Sequence, residues 1–223
     1  MKGRSPLMHR YLDPASSLSE ILFGLIMTLT FTLGAGIITE DEGREGAREL
    51  LIAVIGCNIA WGVIDAALYL VNQWFDRGRL QRLGLSIRAA PDEGAAKSLV
   101  AGELDELLED VTTTSEREAL YSRIAVTVRS KPARAAEFGK ADFMGAFTSF
   151  WLVVLTSAPA AIPFLLFDDA RFALRVSNAI LLGGLFIAGY GWARFTLGKP
   201  WLVGLSLLLG GVALVGISIL LGG

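Results

Sequence analysis

Residues 50–79, LLIAVIGCNIAWGVIDAALYLVNQWFDRGR, decide the fold. From 50 to 74 there is no Lys or Arg and one acid, Asp65; Asp76, Arg77 and Arg79 then follow within five residues. A helix rises about 1.5 Å per residue, so such a run can cross a hydrocarbon core of about 30 Å. Working outward, one further apolar run precedes it, at 18–38, and three follow, at 143–167, 173–192 and 201–221. The segment 75–142 between them is charged. The expectation is an all-α membrane protein with five transmembrane helices in a 2+3 arrangement: an N-terminal cytoplasmic segment (1–17), helices 1 and 2 (18–74), a cytoplasmic helical segment (75–142), and helices 3 to 5 (143–221).

Composition agrees with that class. Hydrophobic residues make up 53% of the 223 and charged ones only 19%, with a mean hydropathy of +0.53, too apolar for an ordinary soluble domain of this length. The basic residues form no patch that could track phosphates, so no nucleic-acid partner is expected. The single cysteine, Cys57, rules out a disulfide framework and reads as a packed thiol within a span. The apolar stretch after Lys2, Arg4 and Arg10 is long for a secretory signal and carries Glu20 at its start, which marks a retained first helix.

Basic loops flanking spans stay in the cytoplasm. With the N-terminus inside, sixteen of the twenty Lys and Arg fall on the inner side; Arg44, Arg48, Arg171 and Arg175 fall outside. The chain is therefore expected in a bacterial inner membrane, N-terminus cytoplasmic and C-terminus periplasmic or extracellular.

The middle segment reads as two helices. Pro91 and Asp92 open one, with Leu99, Val100, Leu104, Leu107, Leu108 and Val111 as its apolar stripe. Ser115 and Glu118 have capping-box spacing for the second, with Leu120, Ile124 and Val128 as its face and Pro132 as its stop.

Asp65 is the residue most in need of an account. A carboxylate within a span costs about 2.5 to 3.5 kcal/mol and needs a partner, water or an ion. Asn58, two helical turns earlier, shares its stripe. Helix rise puts Asp65 about 9 Å above the cytoplasmic edge and Met27 about 10 Å above Glu20, so Met27 and Asp65 are expected at similar depth. Asp65, Glu20, Met27 and Asn58 would mix hard oxygens with one thioether, a set suited to Fe(II) or Mn(II). The competing readings are structural: Glu20 capping the first helix with Ser17 and Ser19, Met27 as packing, and Asp65 bonded to Asn58, Asn178 or a threonine.

Glu103, Glu106 and Glu109 form either a cytoplasmic metal-collecting set or a solvated acidic face. Pro159 and Pro163 mark a helix break in the third span, a device that in transporters lines substrate paths. Arg171 and Arg175, beside Asp168 and Asp169, read as locally paired edge residues. Gly204, Gly211 and Ser218 form a small-residue stripe for packing within a subunit or at a dimer seam. The only histidine, His9, precedes the first span, and no hydrolase or phosphate-loop motif occurs, so no enzyme activity and no resident cofactor are expected.

The 2+3 order resembles the vacuolar iron transporter family, in a divergent bacterial branch. The local matches are SEILFGLIMTLTFT (19–32), GCNIAWGVIDAALY (56–69), AIPFLL (161–166) and LGKPWLVGLSLLLGG (197–211). The first span lacks the Asn-Asp-Gly usual in that family. The resemblance implies a homodimer in the lipid bilayer that exchanges protons for Fe(II) or related ions. By it, Glu20, Met27, Asn58 and Asp65 are the transmembrane ligands, and Glu103, Glu106 and Glu109 the cytoplasmic ones. The reading is a proton-coupled exporter of Fe(II) or Mn(II). Its alternatives are a non-transporting membrane interaction or scaffold protein, and a channel or carrier for another solute.

Overall fold

The computed structural model describes residues 14–39, 43–132 and 137–220, so the segment 1–13, with His9, lies outside the described residues. Their regular structure is helical: α1 (Pro14–Thr39), α2 (Gly43–Ala89), α3 (Glu93–Leu108), α4 (Thr114–Ser130), α5 (Lys140–Leu166), α6 (Ala170–Trp192), a 3-10 turn (Ala193–Phe195) and α7 (Pro200–Leu220). Four stretches are long and apolar enough to cross a membrane: Ala15–Gly34, Arg48–Ala89, Lys140–Leu166 and Ala170–Phe195. In α7 the apolar stretch Pro200–Leu214 is shorter. The chain divides into two compact units, Met1–Leu70 with Lys140–Gly223, and Val71–Gly139.

In the first unit α1 packs against α5, α6 and α7, and α6 also packs against α5 and α7. Leu25 and Leu29 of α1 join Ala160 of α5 and Leu181, Leu185 and Ala188 of α6 in one apolar cluster. The distribution of side chains inverts that of a soluble domain. Thr28, Thr32, Asn58, Ser149, Ser157 and Ser177 are buried, while Ile52, Ile55, Ile59, Val63, Leu68, Phe147 and Leu155 are exposed. Large apolar side chains outward and small polar ones inward is the arrangement expected where the surrounding solvent is hydrocarbon.

Glycine and alanine set the helix spacing. Gly204 and Gly211 lie buried against Phe186 and Leu185 of α6, so the part of the small-residue stripe that is described packs within the subunit; the Ser218 side chain lies outside the described residues. Pro159 and Pro163 do not break α5, which runs through both. Each proline removes its own N–H and so frees one carbonyl, of Leu155 and of Pro159, while the rest of the helix is kept: Phe167 N donates to Pro163 O at 3.0 Å, and Ser177 Oγ of α6 donates to Ala160 O at 2.8 Å.

The second helix likewise does not stop where its apolar run does, but continues to Ala89, just before Ala90 and Pro91, where the proline disfavours helical backbone at the residue preceding it. In the second unit Asp92 caps α3 by accepting from Ala95 N at 2.7 Å. The capping box of α4 sits two residues earlier than the Ser115–Glu118 spacing suggests. Thr113 is the N-cap and Glu116 the reciprocal acid, donating no proton but accepting from Thr113 N at 2.9 Å. Of the expected stripes, Val100 is buried and Leu104, Leu108, Ile124 and Val128 pack with it against Ala96, Tyr121, Ala125 and Ile87, whereas Leu99, Leu107, Val111 and Leu120 are exposed. A polar tie is added to this apolar contact between α3 and α4. Tyr121 Oη donates to Asp105 Oδ1 at 2.8 Å, and Arg117 Nε lies 3.2 Å from the same oxygen.

Two predictions follow from these contacts. A Cβ at Gly189 would stand 2.8 Å from Val203 O and 2.9 Å from Gly204 Cα, both backbone atoms, so Gly189→Ala is expected to destabilise the protein by about 1–3 kcal/mol, whereas Gly183→Ala, with open space around it, is not. Melting of both variants in detergent checks this. The second concerns pH. The Thr113 backbone and hydroxyl hold the Glu116 carboxyl below its ordinary 4.5, so the α4 cap contributes fully above that value and is lost as pH falls. Burial, then the Asp105 carboxylate, push the Tyr121 phenol above its ordinary 10, so its contribution is present below pH 10 and is lost as pH rises through the folded value. Protection of the amides in α3 and α4, measured against the exchange of an unstructured chain at the same pH, should therefore fall at both ends of the pH range, and Thr113→Ala should cost about 1 kcal/mol at neutral pH.

Candidate functional site

The candidate site is a polar seam inside the first unit, built on the face of α1 that carries Glu20, Gly24, Thr28 and Thr32 at four-residue intervals. Gly24 keeps this face close to α5: a Cβ there would stand 3.1 Å from Val153 O. Gly62 does the same for α2, where a Cβ would stand 2.9 Å from the Phe150 ring. Backbones drawn together at glycines let short polar side chains reach one another.

At one level of the seam, Ser149 Oγ of α5 donates to Asp65 Oδ2 of α2 at 2.5 Å. Glu20 of α1 stands within hydrogen-bonding reach of both Asp65 and Ser149. Further along α1, Thr28 Oγ1 lies 3.0 Å from Asn58 Oδ1 and 2.7 Å from Gly24 O of its own helix, its single proton shared between the two acceptors. Further still, Thr32 Oγ1 donates to Asn178 Oδ1 of α6 at 2.8 Å. From Glu20 to Thr32 is about 18 Å along the helix axis, more than half of a hydrocarbon core.

These pairings change the expected site. Glu20 meets Asp65, Phe23 stacks edge-on against Trp61 with centroids 5.5 Å apart, and Thr28 meets Asn58, so α1 and α2 run antiparallel with Glu20 and Asp65 level. Met27 lies seven residues, about 10 Å, beyond Glu20, at the level of Asn58 rather than of Asp65. The depth argument failed because it took Glu20 as a membrane-edge residue. α1 starts at Pro14, a residue suited to the first helical position, and Glu20 is already in its second turn. For the same reason Ser17 and Ser19 lie inside the helix and do not form its cap. The oxygen donors Glu20, Asp65 and Ser149 come together without the thioether.

Of the structural partners considered for Asp65, none is used. Asn58 is taken by Thr28 and Asn178 by Thr32, while Asp65 is served by Ser149. That serine was the residue missing from the sequence reading; its signal was a hydroxyl among aromatic neighbours in FTSFW (147–151). Asp142, buried in the first turn of α5, is a further acid the sequence left unremarked.

The three glutamates of α3 do not converge. Steps of three residues turn each successive carboxyl about 60° further round the helix, so Glu103 and Glu109 diverge by about 120°. Glu103 pairs with Arg79 at 2.8 Å, while Glu106 and Glu109 are exposed. Among the described residues, no group of three or more His, Cys, Asp and Glu side chains is gathered as a metal cage. Cys57 is a half-buried free thiol. Comparison of the sequence with family models and with curated proteins finds no match.

The seam should be energetically coupled. In a double-mutant cycle of Thr28→Val and Asn58→Leu, unfolding in detergent should show a coupling of about 0.6–1.7 kcal/mol, the range of interhelical hydrogen bonds in membranes. Additive single effects would mean that the two groups do not depend on each other.

Proposed function

We propose that this chain is a five-span inner-membrane protein of 2+3 order, N-terminus inside, that works as a homodimer and exports a divalent cation such as Fe(II) or Mn(II) in exchange for protons. The observation that supports this reading is the Glu20–Asp65 pair, with Ser149 beside it, on helices that are apolar enough to span a membrane. Two bare carboxylates this close in a low-dielectric interior repel strongly, so the pair holds a proton or a cation between them. A proton and a metal ion compete for the same oxygens, which makes binding of one release the other. The donors are hard oxygens, which suit Mn(II) and Fe(II) better than a soft ion. The Thr28–Asn58 and Thr32–Asn178 pairs continue the polar lining along α1. The resemblance to the vacuolar iron transporter family favours the same substrate class.

A second reading is favoured by the Ser149–Asp65 hydrogen bond itself: a non-transporting scaffold in which the carboxylate only fixes helix packing. Purified protein in proteoliposomes separates the two. On the transport reading, Mn(II) entry is accompanied by proton movement in the opposite direction, and Asp65→Asn and Glu20→Gln each slow both fluxes at least about tenfold while melting near the parent temperature. Parent-like fluxes in Asp65→Asn would sink the transport reading. A parent with no flux, together with an Asp65→Asn variant that fails to fold, would favour the scaffold.

A further inference from the structure

The polar seam continues past Glu20 and Asp65 towards the end of the first unit at which α1 and α5 begin. Glu20 reaches Ser149 and Gly24 meets Val153, four residues on in each helix, so α1 and α5 run parallel. Asp65 meets Ser149 and Tyr69 meets Gly145, so α2 runs against α5. In this register Ser17, Tyr69 and Gly145 fall at one level, about 4–6 Å beyond the carboxylate pair, and Asp142 falls about 10 Å beyond Ser149. We infer that Asp142, Tyr69 and Ser17, with water held at Ser17, form the route by which protons pass between the Glu20–Asp65 pair and the water outside this end of the bundle. The inference rests on the reading that the pair holds a proton when no cation is bound.

Each member is built into the bundle. Asp142, in the first turn of α5, is 3% exposed and stands two helical turns before Ser149, on nearly the same face, while Lys140 and Ala141 beside it are exposed. This acid is thus enclosed by protein within two residues of the surface. The Tyr69 ring lies across Gly145, where any Cβ would run into its hydroxyl and ring carbons, so glycine is what lets the phenol sit at the level between Asp142 and Ser149. Ser17 is 2% exposed, and its Oγ is the one buried side-chain oxygen or nitrogen that finds no hydrogen bond among the described residues. It stands seven residues before Gly24, which holds α1 against α5, and so lies on the same face of α1.

The chemistry of these groups is that of a relay. A hydroxyl and a protonated carboxyl each both donate and accept. When a proton arrives on a lone pair of the Tyr69 phenol or of the water at Ser17, that oxygen releases the proton it already held. One O–H bond forms as the other breaks, and the oxygen is left neutral. Asp142 exchanges its proton with outside water, and the Glu20–Asp65 pair is the other terminus. A buried hydroxyl with no protein partner is a place for an ordered water, which needs two or more polar neighbours; the Glu20 carboxyl one turn on and the Tyr69 phenol at the same level supply them. Tyr69 and Asp142 are both engaged already, and the route requires neither to be free, since a relay group keeps its partners as protons pass. The Tyr69 ring against the Gly145 backbone closes this level to a hydrated metal ion, so the route serves protons.

Infrared spectroscopy tests the route without any transport measurement. Metal-free protein in detergent should show a protonated-carboxyl band that shifts or disappears in Asp65→Asn, and transfer to deuterium oxide should exchange the proton behind it. Tyr69→Phe, which keeps the ring and removes the hydroxyl, should slow this exchange at least about tenfold, as should Asp142→Asn where that variant folds, and Ser17→Ala should slow it less. Slowing separates a relay from a packing role, because a loosened bundle admits water and exchanges faster. Exchange in Tyr69→Phe at the parent rate or faster would overturn the route and leave the carboxylate pair's reading intact. A parent without the band would overturn both.

Discussion

Hydrocarbon offers no hydrogen bonds, and the polar groups of the first unit are arranged as that solvent would demand. Backbone groups are satisfied within helices, and side-chain groups by a carbonyl of their own helix, as in Thr30, Thr148 and Ser157, or by another helix. Thr28 with Asn58, Thr32 with Asn178, and Asp65 with Ser149 are the result. Each bond fixes the rotation of two helices at once. Together they aim the polar stripe of α1 inward and leave Ile52, Ile55, Ile59 and Val63 of α2 to face outward. Gly24 and Gly62 make these bonds geometrically possible, since a side chain at either would push the backbones apart.

Packing and chemistry are thus not separable in this bundle. A hydroxyl beside an amide oxygen is a neutral donor–acceptor match. Two carboxyls beside one hydroxyl are not, because the serine supplies a single donor for several acceptor sites. The Glu20–Asp65 level is where the seam needs something further, a proton or a cation, and for that reason the proposed exchange chemistry is located there. The second unit follows the opposite logic. Its helices meet through an apolar cluster, and Asp105, Tyr121 and Arg117 add polar contacts at its margin, where such contacts contribute modestly and respond to pH.

A good deal of this was legible along the chain. Apolar run length located α1, α5, α6 and α7 within a few residues but neither end of α2, and the Pro91–Asp92 pair located the start of α3. Asp65 stood out because a carboxylate in an apolar run has few explanations. Three features were misread for identifiable reasons. The capping box was placed on Ser115 because TTTSERE contains two overlapping spacings, and only the backbone shows which threonine or serine leaves the helix. The prolines of α5 looked like a break because proline's lost donor is visible in sequence and the bonds that hold the helix are not. Met27 was set level with Asp65 because depth was counted from an assumed membrane edge.

The sequence by itself determined most of the elements: which stretches are helices, four of the five stretches apolar enough to cross a membrane, and that Asp65 is a carboxyl within an apolar run. Those are properties of composition and period, which act locally. Only the tertiary structure decided partners. It paired Glu20 rather than Met27 with Asp65, brought in Ser149 from a helix more than eighty residues away, sent Asn58 and Asn178 to threonines, and separated the three glutamates of α3. Partner choice depends on helix rotation and register, and these are set by where glycines let backbones approach, a property of surfaces in contact that no single helix holds.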